Sequence, residues 1–133
     1  MSTVITPHTL HVRRTARYYT IGPTHGFPRE LWVVVHGYGQ LARRFMESFA
    51  PLDDGTRLVM APEALSRFYL DPIPERRLQA EPRVGATWMT REDRESEIRD
   101  YVAYLEHLAS EVRRHLSGAG PRDRKSTRLN SSH

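Results

Sequence analysis

Leu31-Trp32-Val33-Val34-Val35-His36-Gly37-Tyr38-Gly39 decides the fold of this chain. The first five residues are apolar and mostly β-branched, and the run stops at two closely spaced glycines. It lacks the polar alternation of a half-exposed strand. A strand buried on both faces of a parallel sheet has this character, so a strand is expected near residues 31–36. The period then changes. Leu41, Phe45, Met46 and Phe49 share one helical face and Pro51 stops it, which predicts a helix near 40–50. Asp53-Asp54-Gly55 reads as a turn, and Leu58-Val59-Met60 gives a second buried strand near 57–61, ended by Pro62. Strand, helix and strand in such close order make a βαβ unit with parallel strands.

Working outward, Thr9 to Ile21 shows a noisy period of two, so a strand is expected near 10–20, followed by a turn at Gly22, Pro23, Gly26 and Pro28. Downstream, Glu63 to Met89 reads as a long irregular loop broken by Pro72, Pro74 and Pro82, a length that usually signals a task. Thr90 resembles a helix N-cap with Asp93 three residues on. Ile98, Tyr101, Val102, Leu105, Leu108, Ala109, Val112 and Leu116 recur at helical spacing, predicting a long helix near 91–116, ended by Gly118, Gly120 and Pro121. The fold class is therefore α/β, with the long helix packed across one face of the sheet.

Composition narrows the functional classes. The chain has 133 residues, 38% hydrophobic and 27% charged, which suits one soluble domain with a real core. The longest uncharged stretch, Leu31 to Ala42, is about a dozen residues, short of the ~20 a membrane helix needs. The beginning, MSTVITPHTL, has no basic stretch followed by an apolar one, so no secretory signal is expected and a cytoplasmic setting is the default. There are no cysteines, which removes disulfide scaffolds, thiolate metal sites and cysteine nucleophiles.

Lys125 and Asn130 are the only lysine and the only asparagine. Both fall in Asp123–His133, DRKSTRLNSSH, which resembles the translation of a sequencing-library adapter and is read as an artefactual, unstructured tail. Elsewhere every Lys/Arg position is Arg, a pattern that coding bias explains more simply than contact chemistry. The tail holds Arg124, Lys125 and Arg128 against Asp123, so the formal charge of +4 falls to +2 for residues 1–122. The arginines are interleaved with acids, as in Thr90-Arg91-Glu92-Asp93-Arg94-Glu95, so the charges read as a solvated helix face and no nucleic-acid partner is expected.

His36-Gly37-Tyr38-Gly39, between a buried strand and a helix, carries the chemistry. LWVVVHGYGQLARRFMESFAPLDDGTRLVMAPEALSRFYL and then VGATWMTREDRESEIRDYVAYLEHL resemble the N-terminal half of an α/β-hydrolase, nearest the bacterial phospholipase/carboxylesterase-type esterases. The resemblance runs from about His11 to Leu116 and rests on motif, context and order together. It implies an N-terminal part of the hydrolase sheet, truncated before the nucleophile strand, in a domain spanning 1–122. The parent would be a serine carboxylesterase or lysophospholipase-like enzyme, acting on a small-molecule ester through an acyl-enzyme, without cofactor or metal. In that family one oxyanion donor is a backbone N–H from the loop after the third strand. Here it would be the N–H of Tyr38, with Gly37 and Gly39 granting the backbone angles and the His36 ring anchoring the loop. In that family the region of Trp88 tends to line the substrate pocket, although a lone Trp more simply packs between loop and core. Phe68 and Tyr69 follow the second strand, where α/β sheets place their sites, and read equally as pocket residues or as a loop covering apolar surface.

The nucleophile elbow G-x-S-x-G is absent, because Ser48, Ser66, Ser96, Ser110 and Ser117 lack the glycine frame. Nucleophile, acid and catalytic His are expected beyond the sequence, so the chain as written is expected to be inactive. The alternative readings are a nucleotide-binding module, which the motif disfavours because it matches neither G-x-G-x-x-G nor a P-loop, and a non-catalytic α/β interaction domain. His107, Glu111 and His115 share a helix face that could hold a metal, but without an HExxH pattern they read as solvated.

Overall fold

A computed structural model describes residues 3–23, 26, 28–78, 80–116 and 127–131, the last by backbone alone. Its elements in order are β1 (Tyr18–Ile21), β2 (Glu30–Val35), α1 (Ala42–Glu47), a 3-10 turn (Ala50–Leu52), β3 (Arg57–Pro62), β4 (Ser66–Tyr69), α2 (Ile73–Arg76), β5 (Val84–Thr87), α3 (Arg94–His115) and β6 (Thr127–Ser131). The main sheet has the order β1-β3-β2-β6. β2 is parallel to β3, with Leu31 opposite Leu58 and Val33 opposite Met60, while β1 runs antiparallel to β3. The chain is thus α/β, and the βαβ unit read from the sequence is present.

The continuous apolar runs have their predicted cause, because helices cover both faces of the sheet. Leu31, Val33, Leu58 and Met60 pack against Leu108 and Val112 of α3, with Tyr104, Leu105 and Leu116 at the margin. Val34, Val59 and Ala61 pack on the other face against Ala42, Phe45 and Met46 of α1. Successive strand residues alternate between these two layers, as a pleated backbone requires.

Four expectations need correction. The strand near 10–20 shrinks to β1, because only Tyr18–Ile21 meet a partner strand, and residues 3–17 form no regular element. The long helix starts at Arg94 with Asp93 at its N-cap position; Thr90 is engaged elsewhere, its N–H donating to Glu97 Oε1 at 2.9 Å. Only the C-terminal part of its apolar face is core, and Val102 is 43% exposed. The stretch 63–89 is not an irregular loop. β4 and β5 pair antiparallel as a second sheet, tied at its open end by Arg83 gripping both oxygens of Asp71.

The fourth correction concerns the tail. Thr127–Ser131 form β6 and pair in parallel with Leu31–Val35, contrary to the unstructured reading. The reason is the edge of β2, an apolar strand whose N–H and C=O groups on that side need partners. Backbone pairing asks little of the side chains, so a polar segment serves. Residues 123–126, 132 and 133 lie outside the described residues, as does the helix stop at 118–121.

Removing residues 123–133 is expected to lower hydrogen-exchange protection of the β2 amides facing that edge and to promote aggregation, while β1 amides keep theirs. Equal β2 protection with and without the tail would contradict this assignment. Leu108→Ala, which opens a cavity under β2 and β3, is expected to cost about 2–5 kcal/mol in urea unfolding.

Candidate functional site

At the C-terminal end of β2 the chain makes a tight turn over Gly37-Tyr38-Gly39-Gln40. The N–H of Gln40 donates to the Gly37 carbonyl at 3.2 Å, and Gly39 takes φ +75°. A turn of this kind needs a left-handed residue in its third position, which glycine supplies without strain. Gly37 shows no positive φ, so the conformational demand falls on Gly39 alone.

The turn's amides are nearly all used. Gly37 N–H donates to Gln40 Oε1 at 2.6 Å. Gly39 N–H donates to the Ala86 carbonyl at 2.9 Å, and Ala86 N–H returns a bond to the Gln40 carbonyl at 3.0 Å. Tyr38 N–H has no partner among the described residues. Its ring is 72% exposed, so one backbone donor is left unspent on an exposed turn at the carboxyl end of a central strand.

His36 holds this turn from below. Its side chain is buried, at 1% exposure. Ala64 N–H donates to Nε2 at 3.0 Å, so that nitrogen carries no proton and the ring is neutral. Nδ1 therefore bears the proton and donates to the Gly37 carbonyl at 2.8 Å. Burial pushes the ring's pKa below that of a solvated histidine, outweighing the Gly37 carbonyl and the Glu63 charge, which act to raise it. Trp88 completes the anchor, its Nε1–H donating to the His36 carbonyl at 2.9 Å and its ring lying 5.2 Å from the imidazole.

Glu63, one residue before Ala64, is a buried carboxylate that the sequence reading did not single out. Arg17 Nε donates to its Oε2 at 2.5 Å and Arg67 Nε to the same oxygen at 2.8 Å. Its Oε1 accepts the N–H of Ala42, the first residue of α1, at 3.2 Å. Burial acts to raise this carboxyl's pKa, but the hydrogen bonds from Arg17, Arg67 and Ala42 together hold it below the usual range. The Tyr104 hydroxyl, which burial pushes up to about 12, donates to the Glu63 carbonyl at 3.1 Å.

Gly85 also went unnoticed in sequence. A Cβ placed there would sit 2.3 Å from the Gly39 carbonyl oxygen, so only glycine lets β5 back onto the turn this closely. A lone glycine between Val84 and Ala86 gave the single available signal.

The candidate pocket residues separate. The Phe68 ring lies 5.2 Å from Tyr38, beside the unpaired amide's own side chain. Tyr69 stacks under the Arg76 guanidinium at 4.5 Å. Trp88 packs on His36, Tyr101 and Tyr104, and faces a cavity of about 120 Å³ shared with Ser66 and Thr87 rather than with Phe68 or Tyr69.

Among the described residues no serine hydroxyl is hydrogen-bonded to a histidine ring, and no group of His, Asp and Glu is placed to hold a metal ion. Glu111 is occupied by Arg114 at 2.5 Å and His107 at 3.5 Å. Chemically, the site can donate a fixed hydrogen bond to an oxygen. Comparison of the chain with models of known families, with curated proteins and with solved structures finds no match.

Gly85→Ala is expected to push the Gly39 turn off β5, seen as shifts of the Tyr38, Gly39 and Ala86 amide resonances with α3 unperturbed. The two buried titratable groups set an acid-labile stability. His36 is held neutral, so the unfolded chain takes up that proton first, and stability present above about pH 6.5 declines as pH falls below it. The contribution of Glu63 is present above about pH 4.3 and is lost as pH falls through its depressed folded pKa. The urea midpoint should therefore fall between pH 7.5 and 5 and again below 4.5. Glu63→Gln should be weaker at pH 7 and lack most of the second fall. A midpoint that stays level down to pH 5 would refute the His36 assignment.

Proposed function

We propose that residues 1–122 form the N-terminal part of a serine ester hydrolase of carboxylesterase or lysophospholipase-like type, and that the His36–Gln40 turn supplies half of its oxyanion hole. One observation carries this reading. The N–H groups of Gly37, Gly39 and Gln40 are engaged, while that of Tyr38 has no partner among the described residues. Preorganised donors of this sort are worth about 2.7–4 kcal/mol each when aimed at a developing oxyanion. The resemblance of the HGYG stretch and its strand–helix context to α/β-hydrolases supports the same reading.

In the reaction, a general base takes the serine proton as the serine oxygen bonds to the ester carbonyl carbon, and the carbonyl's π electrons move onto oxygen. That oxygen, now negative, accepts the Tyr38 hydrogen bond. Collapse restores the carbonyl and breaks the bond to the alcohol, which leaves with the proton returned by that base, and the acyl-enzyme is then hydrolysed by water. The buried, neutral His36 is a scaffold in this scheme. Its two nitrogens are both committed, so it has no free position from which to take the serine proton. The Phe68 and Tyr38 rings, 5.2 Å apart, offer an apolar wall beside the turn.

The test compares residues 1–122 expressed alone with the full-length gene product, using a short-chain p-nitrophenyl ester and a fluorophosphonate label. The full-length protein is expected to turn over and to label one to one; residues 1–122 should do neither. A full-length product without activity or label overturns the proposal.

A further inference from the structure

Gln40 closes the turn and carries a group that the turn leaves unused. Its Oε1 accepts the Gly37 N–H at 2.6 Å. A backbone N–H can be met only by the carboxamide's oxygen, so this bond also fixes which end of the side chain is the NH2 group. That group's two N–H donors have no partner among the described residues, and the side chain is exposed. The Gln40 backbone is pinned as well, its N–H to the Gly37 carbonyl at 3.2 Å and its carbonyl to Ala86 N–H at 3.0 Å. With both backbone and carboxamide tied down, the NH2 group is held in the same four-residue turn as the Tyr38 amide. Little rotamer freedom remains to be lost when an acceptor arrives.

We propose that the Gln40 carboxamide nitrogen is a second donor of the oxyanion hole, so that Gln40 is a catalytic residue acting beside the Tyr38 N–H. The inference rests on the ester-hydrolase reading above and names a residue that reading does not need. The chemistry suits the role. A tetrahedral oxyanion has more lone pairs than one backbone amide can serve. A neutral carboxamide donates without itself titrating, so its help persists wherever the catalytic base works. The Oε1 contact with Gly37 makes this donor preorganised, the condition under which such groups are worth most.

Two substitutions separate donation from mere support of the turn, both made in the full-length gene product that contains residues 1–122. In Gln40→Glu a carboxylate oxygen still accepts the Gly37 N–H, but the donors are gone and a negative charge faces the oxyanion. Gln40→Met loses both functions. With p-nitrophenyl butyrate, Q40E is expected to lose on the order of 10²–10³-fold in kcat with KM little changed, at an unaltered melting midpoint, and Q40M to lose at least as much. If Q40E keeps wild-type kcat while Q40M falls, Gln40 only supports the turn and the inference is overturned, with the ester-hydrolase reading intact. If both variants keep wild-type kcat, Gln40 has neither role and the inference falls in the same way. If the unsubstituted full-length protein neither hydrolyses the ester nor takes the fluorophosphonate label, the reading itself falls and takes the inference with it.

Discussion

A neutral imidazole buried between two strand ends is the constraint on which the rest of the site depends. His36 must accept from Ala64 and donate to Gly37 at once, and only one tautomer of the uncharged ring does both. The first bond ties the end of β2 to the end of β3. The second sets the carbonyl that Gln40 N–H then uses to close the turn. Stacking on Trp88 excludes water from the ring, which both keeps it neutral and makes its two hydrogen bonds costly to lose. A proton on Nε2 would set two N–H groups against each other and release the turn from β3.

Glu63 extends the same constraint outward. It collects an arginine from the segment before β1, another from β4 and the first amide of α1. A buried carboxylate is costly by itself, and this one is tolerable only because all three donors converge on it. The arrangement makes the second sheet and the first helix register on the residue next to Ala64, and so on His36. The hairpin of β4 and β5 is thereby held where Ala86 and Gly85 meet the turn. Packing of the large sheet sets the strands, whereas polar contacts among residues far apart in sequence set the turn.

That division explains how much was legible in the sequence. β2, β3 and α3 are long enough for their apolar pattern to exceed local noise, and each appears within a few residues of its expected place. The His36–Gly39 turn was legible because glycine and a strand end coincide. β4 and β5 were not. Each has four residues, too few for a period to register, and the prolines around them look like loop punctuation. Glu63 was illegible for a different reason. Its partners Arg17 and Arg67 are ordinary surface residues in sequence, and only the fold brings them onto one carboxylate. Gln40 shows the same limit at shorter range, because its role depends on which end of its amide faces Gly37.

The edge of β2 raises a separate point about specificity. Register with β6 puts Arg128 beside Trp32 and Asn130 beside Val34, positions whose β2 members contribute to the α1-side core. A strand inside a sheet covered on both faces ordinarily reads as apolar throughout, yet this one reads Thr-Arg-Leu-Asn-Ser. The pairing is therefore driven by what β2 lacks rather than by what the segment offers. An apolar strand with one unpaired edge will recruit backbone from whichever extended segment lies in reach. Pairing of that kind satisfies the peptide groups of β2 whatever the sequence of the segment that supplies it.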